Sequence, residues 1–117
     1  MQRQHRLRKK RDFSRVFRGG NSIANRQFVL YIKRNRSSEL RLGISVSKKV
    51  GNAVTRNRVK RLVKEVVRAW IPSLQPDVDL VLIARNPTAN MGYHEIKSSI
   101  RHLFQKAGLF HSIPEQE

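Results

Sequence analysis

Residues 45–71 read SVSKKVGNAVTRNRVKRLVKEVVRAWI, and the second half of this stretch carries the clearest periodicity in the chain. Val59, Leu62, Val63, Val66, Val67, Trp70 and Ile71 recur at the i, i+3, i+4, i+7 spacing of one apolar helix face. That spacing predicts an amphipathic helix starting near Thr55 and ending before Pro72. Beside the apolar stripe, Asn57, Lys60, Arg61 and Lys64 recur at the same spacing and form a polar stripe. Its charges are unusual for a structural helix. First turns favour acidic residues because the helix N-terminus carries partial positive charge, yet here they hold Arg56, Arg58, Lys60 and Arg61. Lys48 and Lys49 lie just upstream, Gly51-Asn52 allows a turn, and no acid precedes Glu65 within the stretch. Free amides at a helix start with converging cations predict a phosphate site.

Working outward, residues 27–33 (QFVLYIK) and 41–47 (RLGISVS) have strand composition, and residues 35–39 (NRSSE) between them are turn-forming. They read as two hairpin-connected strands. After Pro72, residues 77–85 (DVDLVLIAR) are apolar enough for a central strand, and Asn86-Pro87 turns the chain. A last helix is predicted from about Asn90 or Met91 to Ala107, with Ile96, Ile100, Leu103, Phe104 and Ala107 inward and Gly108 as its stop. Near the N-terminus, Asp12 is placed to cap a helix of two turns at most, with Phe13, Val16 and Phe17 on one face and Gly19-Gly20 at its end. Arg3, Arg6, Arg8, Lys9, Lys10 and Arg11 make residues 1–11 an extended basic arm, and residues 111–117 read as a frayed tail. The order α-β-β-α-β-α over residues 12–110 points to a single-domain α+β two-layer sandwich, a small, mostly antiparallel sheet packed with helices.

The charge is lopsided. The 117 residues carry a net +17, and residues 1–61 hold 19 basic and 2 acidic residues against 6 and 6 in the remainder. Self-repulsion of that kind has no folding benefit, so a polyanionic partner is implied. There is no cysteine, which excludes disulfides, thiolate metal sites and thiol nucleophiles and fits a reducing, cytoplasmic setting. No apolar run reaches the roughly 18 residues of a membrane span. His5, His94, His102 and His111 are scattered and read as solvated surface, and no nucleophile or nucleotide-binding loop motif occurs. Asp77 and Asp79, at i, i+2, are a possible hydrated Mg²⁺ pair, although solvent-facing carboxylates are the commoner outcome and no metal site is assigned. Tyr31, flanked by Lys33 and Arg34, offers a ring for base stacking. For Phe13 and Phe17, core packing and ring exposure are equal alternatives, while Trp70, Phe104 and Phe110 read as packing groups.

The run Lys48-Lys49-x-Gly51-Asn52-Ala53-Val54-x-Arg56-Asn57-Arg58-x-Lys60-Arg61 resembles the RNR signature of the bacterial ribonuclease P protein family. Asp12-Phe13-x-x-Val16-Phe17-x-x-Gly20, residues 25–31 (NRQFVLY), residues 43–48 (GISVSK) and Asp79-x-Val81-x-Ile83-Ala84-Arg85 resemble its other blocks, so the likeness extends from Leu7 to about Phe110. The resemblance implies a subunit of a ribonucleoprotein that removes the 5′ leader of precursor tRNA. Its catalysis would lie in the RNA subunit, with Mg²⁺ required by the holoenzyme and none assigned to the protein. It implies contact with the catalytic RNA through Lys48, Lys49, Arg56, Arg58, Lys60 and Arg61, and counts Asn52 with them as RNA-binding. It also implies a cleft for the single-stranded leader at Phe13, Phe17 and Tyr31, with Arg56, Asn57, Lys60 and Lys64 at its edge. A left-handed β-α-β crossover and a further short strand are implied as well; no protein partner is. Lys64 stands where many members have Arg. A ribosomal RNA-binding protein is the alternative from the structural class, and a self-sufficient nuclease a third.

Overall fold

The computed structural model describes residues 5–7 and 9–112. Its elements are α1 (Lys10–Gly19), β1 (Asn21–Ala24), β2 (Phe28–Arg34), β3 (Arg41–Val46), α2 (Ala53–Trp70), β4 (Val78–Ala84) and α3 (Tyr93–Lys106), with 3-10 turns at Ile71–Ser73 and Asn86–Asn90. The four strands form one mixed sheet in the order β1-β2-β4-β3. β2 runs antiparallel to both β1 and β4, and β3 runs parallel to β4, so α2 is the crossover of a β-α-β unit.

The predicted hairpin between the second and third strands is not formed. Residues 35–39 do turn, with Asn35 Oδ1 accepting from the Ser37 amide at 2.9 Å and Ser37 Oγ from the Glu39 amide at 3.1 Å. The chain leaving β2 nevertheless passes over β4 before it starts β3. β4 is the strand whose residues are buried at every position but Ile83, so it takes the centre and separates the other two. Turn chemistry fixes a reversal, not a partner.

β1 escaped the sequence reading because its four residues, NSIA, show no buried alternation. It is held by pairing with β2 and by Asn25, whose Oδ1 accepts from the amides of Gln27 (3.0 Å) and Phe28 (2.8 Å) to close the connecting turn. α1 is longer than the two turns expected. It starts at Lys10, with Lys9 as N-cap, and Asp12 sits in its first turn, where a carboxylate suits the helix dipole. The basic arm is correspondingly shorter. Leu7 is buried, its amide donates to the Leu42 carbonyl at 2.9 Å, and Arg6 bridges to Leu42 in parallel fashion, so residues 5–7 lie along β3. Arg3 and Arg8 lie outside the described residues. The tail is likewise anchored further than expected, since Phe110 bridges to Leu74 and the His111 amide donates to the Ser73 carbonyl at 2.9 Å; residues 113–117 are outside the description.

The main core lies between one sheet face and the helix pair α2 and α3. Phe28, Leu30, Leu80, Leu82, Val59, Val63, Val67, Ile100 and Phe104 are fully enclosed there. α2 begins two residues earlier than expected, at a side-chain cap in which Asn52 Oδ1 accepts from the Thr55 amide at 3.0 Å. The opposite sheet face is covered by α1, where Val16, Val81 and Leu7 make a small second cluster.

Candidate nucleic-acid interface

Strand register sorts the sheet face beneath α1 into cross-strand rows. Lys33, Asp79 and Arg41 form one, Ser22, Tyr31, Val81 and Gly43 the next, and Ala24, Val29, Ile83 and Ser45 a third. In the middle row, α1 seats its aromatic rings. A Cβ on Gly43 would lie 2.6 Å from Phe13 Cζ, so the ring of Phe13 needs a residue without a side chain beneath it. Phe17 meets Tyr31 edge-on with ring centroids 4.9 Å apart, and Phe13 and Phe17 are 6.4 Å apart. Phe17 is 40% exposed, and Phe13 and Tyr31 are half-buried. Of the two alternatives open for the phenylalanines, neither ring is enclosed as a core residue. In the third row Val29 and Ile83 are also only half-buried. The result is a sheet face beside α1 on which aromatic and aliphatic side chains stay partly open to solvent.

The RNR segment divides in two. Arg58 is a strut, donating from Nη1 to the Met91 carbonyl (2.9 Å) and from Nη2 to the Ala89 carbonyl (2.7 Å), which ties α2 to the turn before α3. Arg56 donates from Nη1 to the Gly51 carbonyl at 2.9 Å and braces the loop ahead of the helix. Nothing in the spacing of the two arginines foretold these backbone partners. Asn57, Arg61, Lys48 and Lys49 are exposed, as is Asn52, whose side chain serves as the helix cap. Lys60 and Lys64, one turn apart, converge with Arg6, Leu7, Phe13, Leu42 and Ile44 on a cavity of about 330 Å³. Burial lowers the Lys64 ammonium pKa from its usual value, and the neighbouring charges of Arg6 and Lys60 lower it further. Three cations therefore share one partly desolvated cavity without an acidic side chain in its wall. Lys9, Lys10 and Arg11 lie exposed at the start of α1.

The Asp77–Asp79 pair is not solvent-facing as expected. Asp79 is 3% exposed and receives a two-pronged bond from Arg41, Nε to Oδ1 at 2.9 Å and Nη2 to Oδ2 at 2.7 Å, with Asn35 Nδ2 also on Oδ1 at 2.7 Å. The Asp79 hydrogen bonds raise the Arg41 pKa further above its ordinary value. Asp77 pairs with Arg34. Both carboxylates are thus occupied by arginines. Among the described residues no group of three or more His, Asp or Glu side chains is placed to hold a metal ion. His94, His102 and His111 are exposed, but His5 is half-buried and donates from Nδ1 to the Leu40 carbonyl at 2.6 Å. No helix among these residues is long and apolar enough to cross a membrane.

The family model described as Ribonuclease P matches residues 1–108. The chain is 50% identical over 108 residues to the ribonuclease P protein component of Shouchella clausii, covering 92% of this chain and 88% of that one. To the component of Bacillus velezensis it is 49% identical over 111 residues, covering 94% and 95%. The chain belongs to the ribonuclease P protein family. Solved structures of ribonuclease P proteins agree. That of Staphylococcus aureus superposes with a TM-score of 0.86 at 41% identity, covering 92% of this chain and 98% of that one. That of Thermotoga maritima has a TM-score of 0.79 at 31% identity, covering 86% and 96%. As a ribonuclease P protein component, the chain is part of a tRNA-processing endoribonuclease ribonucleoprotein and associates with the ribonuclease P RNA.

For a ribonuclease P protein freed of its RNA, the cavity at Arg6, Lys60 and Lys64 is a source of repulsion. Sulfate is expected to raise the melting temperature, because an anion that binds only the folded state adds RT ln(1 + [L]/Kd), about 2.7 kcal/mol at a hundredfold excess over Kd. Lys64→Gln should stabilise the sulfate-free chain by less than about 1 kcal/mol, since the group is only partly screened from water, and should reduce the gain from sulfate. Thermal melts by circular dichroism check both. Equal sulfate gains in the two proteins would remove the cavity as the anion site.

Proposed function

We propose that this protein holds the single-stranded 5′ leader of precursor tRNA in the cleft of Phe13, Phe17 and Tyr31. In the same reading it binds the catalytic RNA through the cationic surface of Lys48, Lys49, Arg56, Asn57, Lys60, Arg61 and Lys64. The observation that carries the reading is the open aromatic pair: Phe17 stands 40% exposed with its ring against Tyr31, on the sheet face next to a cavity lined by three cations. Unpaired nucleotides combine a stackable face with a charged backbone, and a ring platform beside a cationic groove matches both. A duplex hides its bases and offers such a cleft only phosphates. The ribosomal alternative has no use for the open rings, and the cleft therefore favours the leader.

In this reading the protein supplies positioning and charge, while the RNA subunit and its Mg²⁺ ions supply the bond cleavage, in the cytoplasm where precursor tRNA is made. Asp77 and Asp79 are spent on Arg34 and Arg41, and among the described residues no group of three or more His, Asp or Glu side chains is placed to hold a metal ion. Asn52 and Arg58 act indirectly, since their hydrogen bonds shape the start of α2 and its seat against the turn before α3.

Incubation of precursor tRNA with the protein, with the catalytic RNA, and with both tests the assignment. The expected outcome at near-physiological salt and Mg²⁺ is leader removal that requires the RNA and is accelerated by the protein, with none from the protein alone. Cleavage by the protein alone would make it a nuclease, and no acceleration by the protein would return it to the class of structural RNA binders.

A further inference from the structure

The strand-end row Lys33–Asp79–Arg41 opens into a second, larger cavity of about 550 Å³, which shares no lining residue with the one between α1 and α2. Arg15 of α1, Lys33 at the end of β2, Arg36 on the following turn and Arg41 at the start of β3 converge there, with Asp79 as the acid in its wall. Asp79 is consumed by Arg41, and the Arg34 side chain, which also lines the cavity, is matched by Asp77. That leaves Arg15, Lys33 and Arg36 without a carboxylate at ion-pair distance among the described residues.

These groups are held in place. Asn35 donates to Asp79 Oδ1 at 2.7 Å and, through Oδ1, accepts the Ser37 amide at 2.9 Å, which locks the turn that carries Arg36 to the buried carboxylate. The Lys33 ammonium lies against the last turn of α1, since a Cβ on Gly19 would be 2.9 Å from Nζ, a placement the helix dipole favours. Arg41 is fixed by its fork on Asp79. Lys33 also follows Tyr31 by two positions on one strand face, about 6.6 Å along β2.

We infer that this cavity is a second phosphodiester-binding site for RNA, formed by Arg15, Lys33 and Arg36 and independent of the RNR surface. The chemistry is that of an RNA backbone, from either of two sources: leader nucleotides beyond those in the ring-walled cleft, or a strand of the catalytic RNA. The leader source rests on the function proposed above; the catalytic-RNA source does not.

The test uses full-length protein carrying Arg15→Ala and Arg36→Ala together, both residues being exposed. Arg68→Ala with Lys106→Ala, also exposed, is the charge-matched control, and Arg15→Gln with Arg36→Gln is a second pair should the alanines disturb folding in a melt. Affinity is measured against salt for the catalytic RNA alone, and for the assembled holoenzyme with precursor tRNA of long and of very short leader. Removing two phosphate contacts should lower the log–log salt slope by about 1.4, and the control should not. A drop seen only with the long leader assigns the site to the leader; a drop in assembly with the catalytic RNA assigns it there. Wild-type slopes with all three RNAs, or equal drops in the control, overturn the inference. Tyr31→Ala in the same assay reports on the ring-walled cleft by itself. An effect there without one at Arg15 and Arg36 rejects only this second site, and the converse rejects only the cleft.

Discussion

Asp79→Ala is expected to destabilise the protein by about 3–5 kcal/mol, the usual cost of removing one partner from a buried ion pair. The carboxylate is 3% exposed and accepts three bonds, from Arg41 Nε, Arg41 Nη2 and Asn35 Nδ2. Truncating it leaves the Arg41 guanidinium, whose side chain is 30% exposed, and the Asn35 amide facing a void on the central strand. Against a typical total of about 5–15 kcal/mol the loss is large, and the melting temperature should fall by at least about 12 °C at the usual conversion for a small domain. Thermal melts in sulfate check it. Asp77→Ala, at a half-buried carboxylate whose partner Arg34 is a surface arginine, should cost less than about 1 kcal/mol. A similar small cost for Asp79→Ala would mean that water replaces the carboxylate and that the strand-end row is not held by it.

Tyr31→Ala and Phe17→Ala are expected to weaken holoenzyme binding of precursor tRNA by about 1–3 kcal/mol per lost base stack, roughly five- to 150-fold. Mature tRNA, which has no leader, should bind as before, and so should the catalytic RNA. Folding should survive both changes. Fully buried phenylalanines cost about 3–5 kcal/mol on truncation, but Phe17 is 40% exposed and its edge contact with Tyr31 is worth only about 0.5–1.5 kcal/mol. Fluorescence titration of precursor and mature tRNA, beside a melt of each variant, separates the outcomes. A folded variant with normal precursor affinity removes the ring from the leader cleft.

The parts of the fold that were legible in the sequence are those written in apolar periodicity. The stripe from Val59 to Trp70 marks α2, and the run Val78 to Ala84 marks a central strand, because burial on one or both faces dictates residue type over several turns or a whole strand. Pairing was not legible: β2 and β3 look like a hairpin because a good turn joins them, whereas which strand lies between them is set by a segment more than thirty residues further on. β1 carries no apolar signal at all. Of the site, the cationic stripe and the rings could be named, because charge and aromatic character survive without coordinates. The division of labour within the RNR segment could not. Arg58 and Lys60 are two residues apart, yet one is tied to carbonyls of the turn before α3 and the other opens onto a cavity shared with Arg6. Gly43 is a similar case, for its need to be glycine comes from the ring of Phe13, thirty positions away.

Photocrosslinking from the Phe17 position tests the central claim most directly, since that ring is the most exposed of the three. A photoreactive phenylalanine analogue placed there, in protein assembled with catalytic RNA and bound to end-labelled precursor tRNA, should attach to nucleotides of the 5′ leader, and the adduct should disappear when mature tRNA replaces the precursor. Adducts confined to the catalytic RNA, or unchanged between precursor and mature tRNA, would contradict the leader cleft.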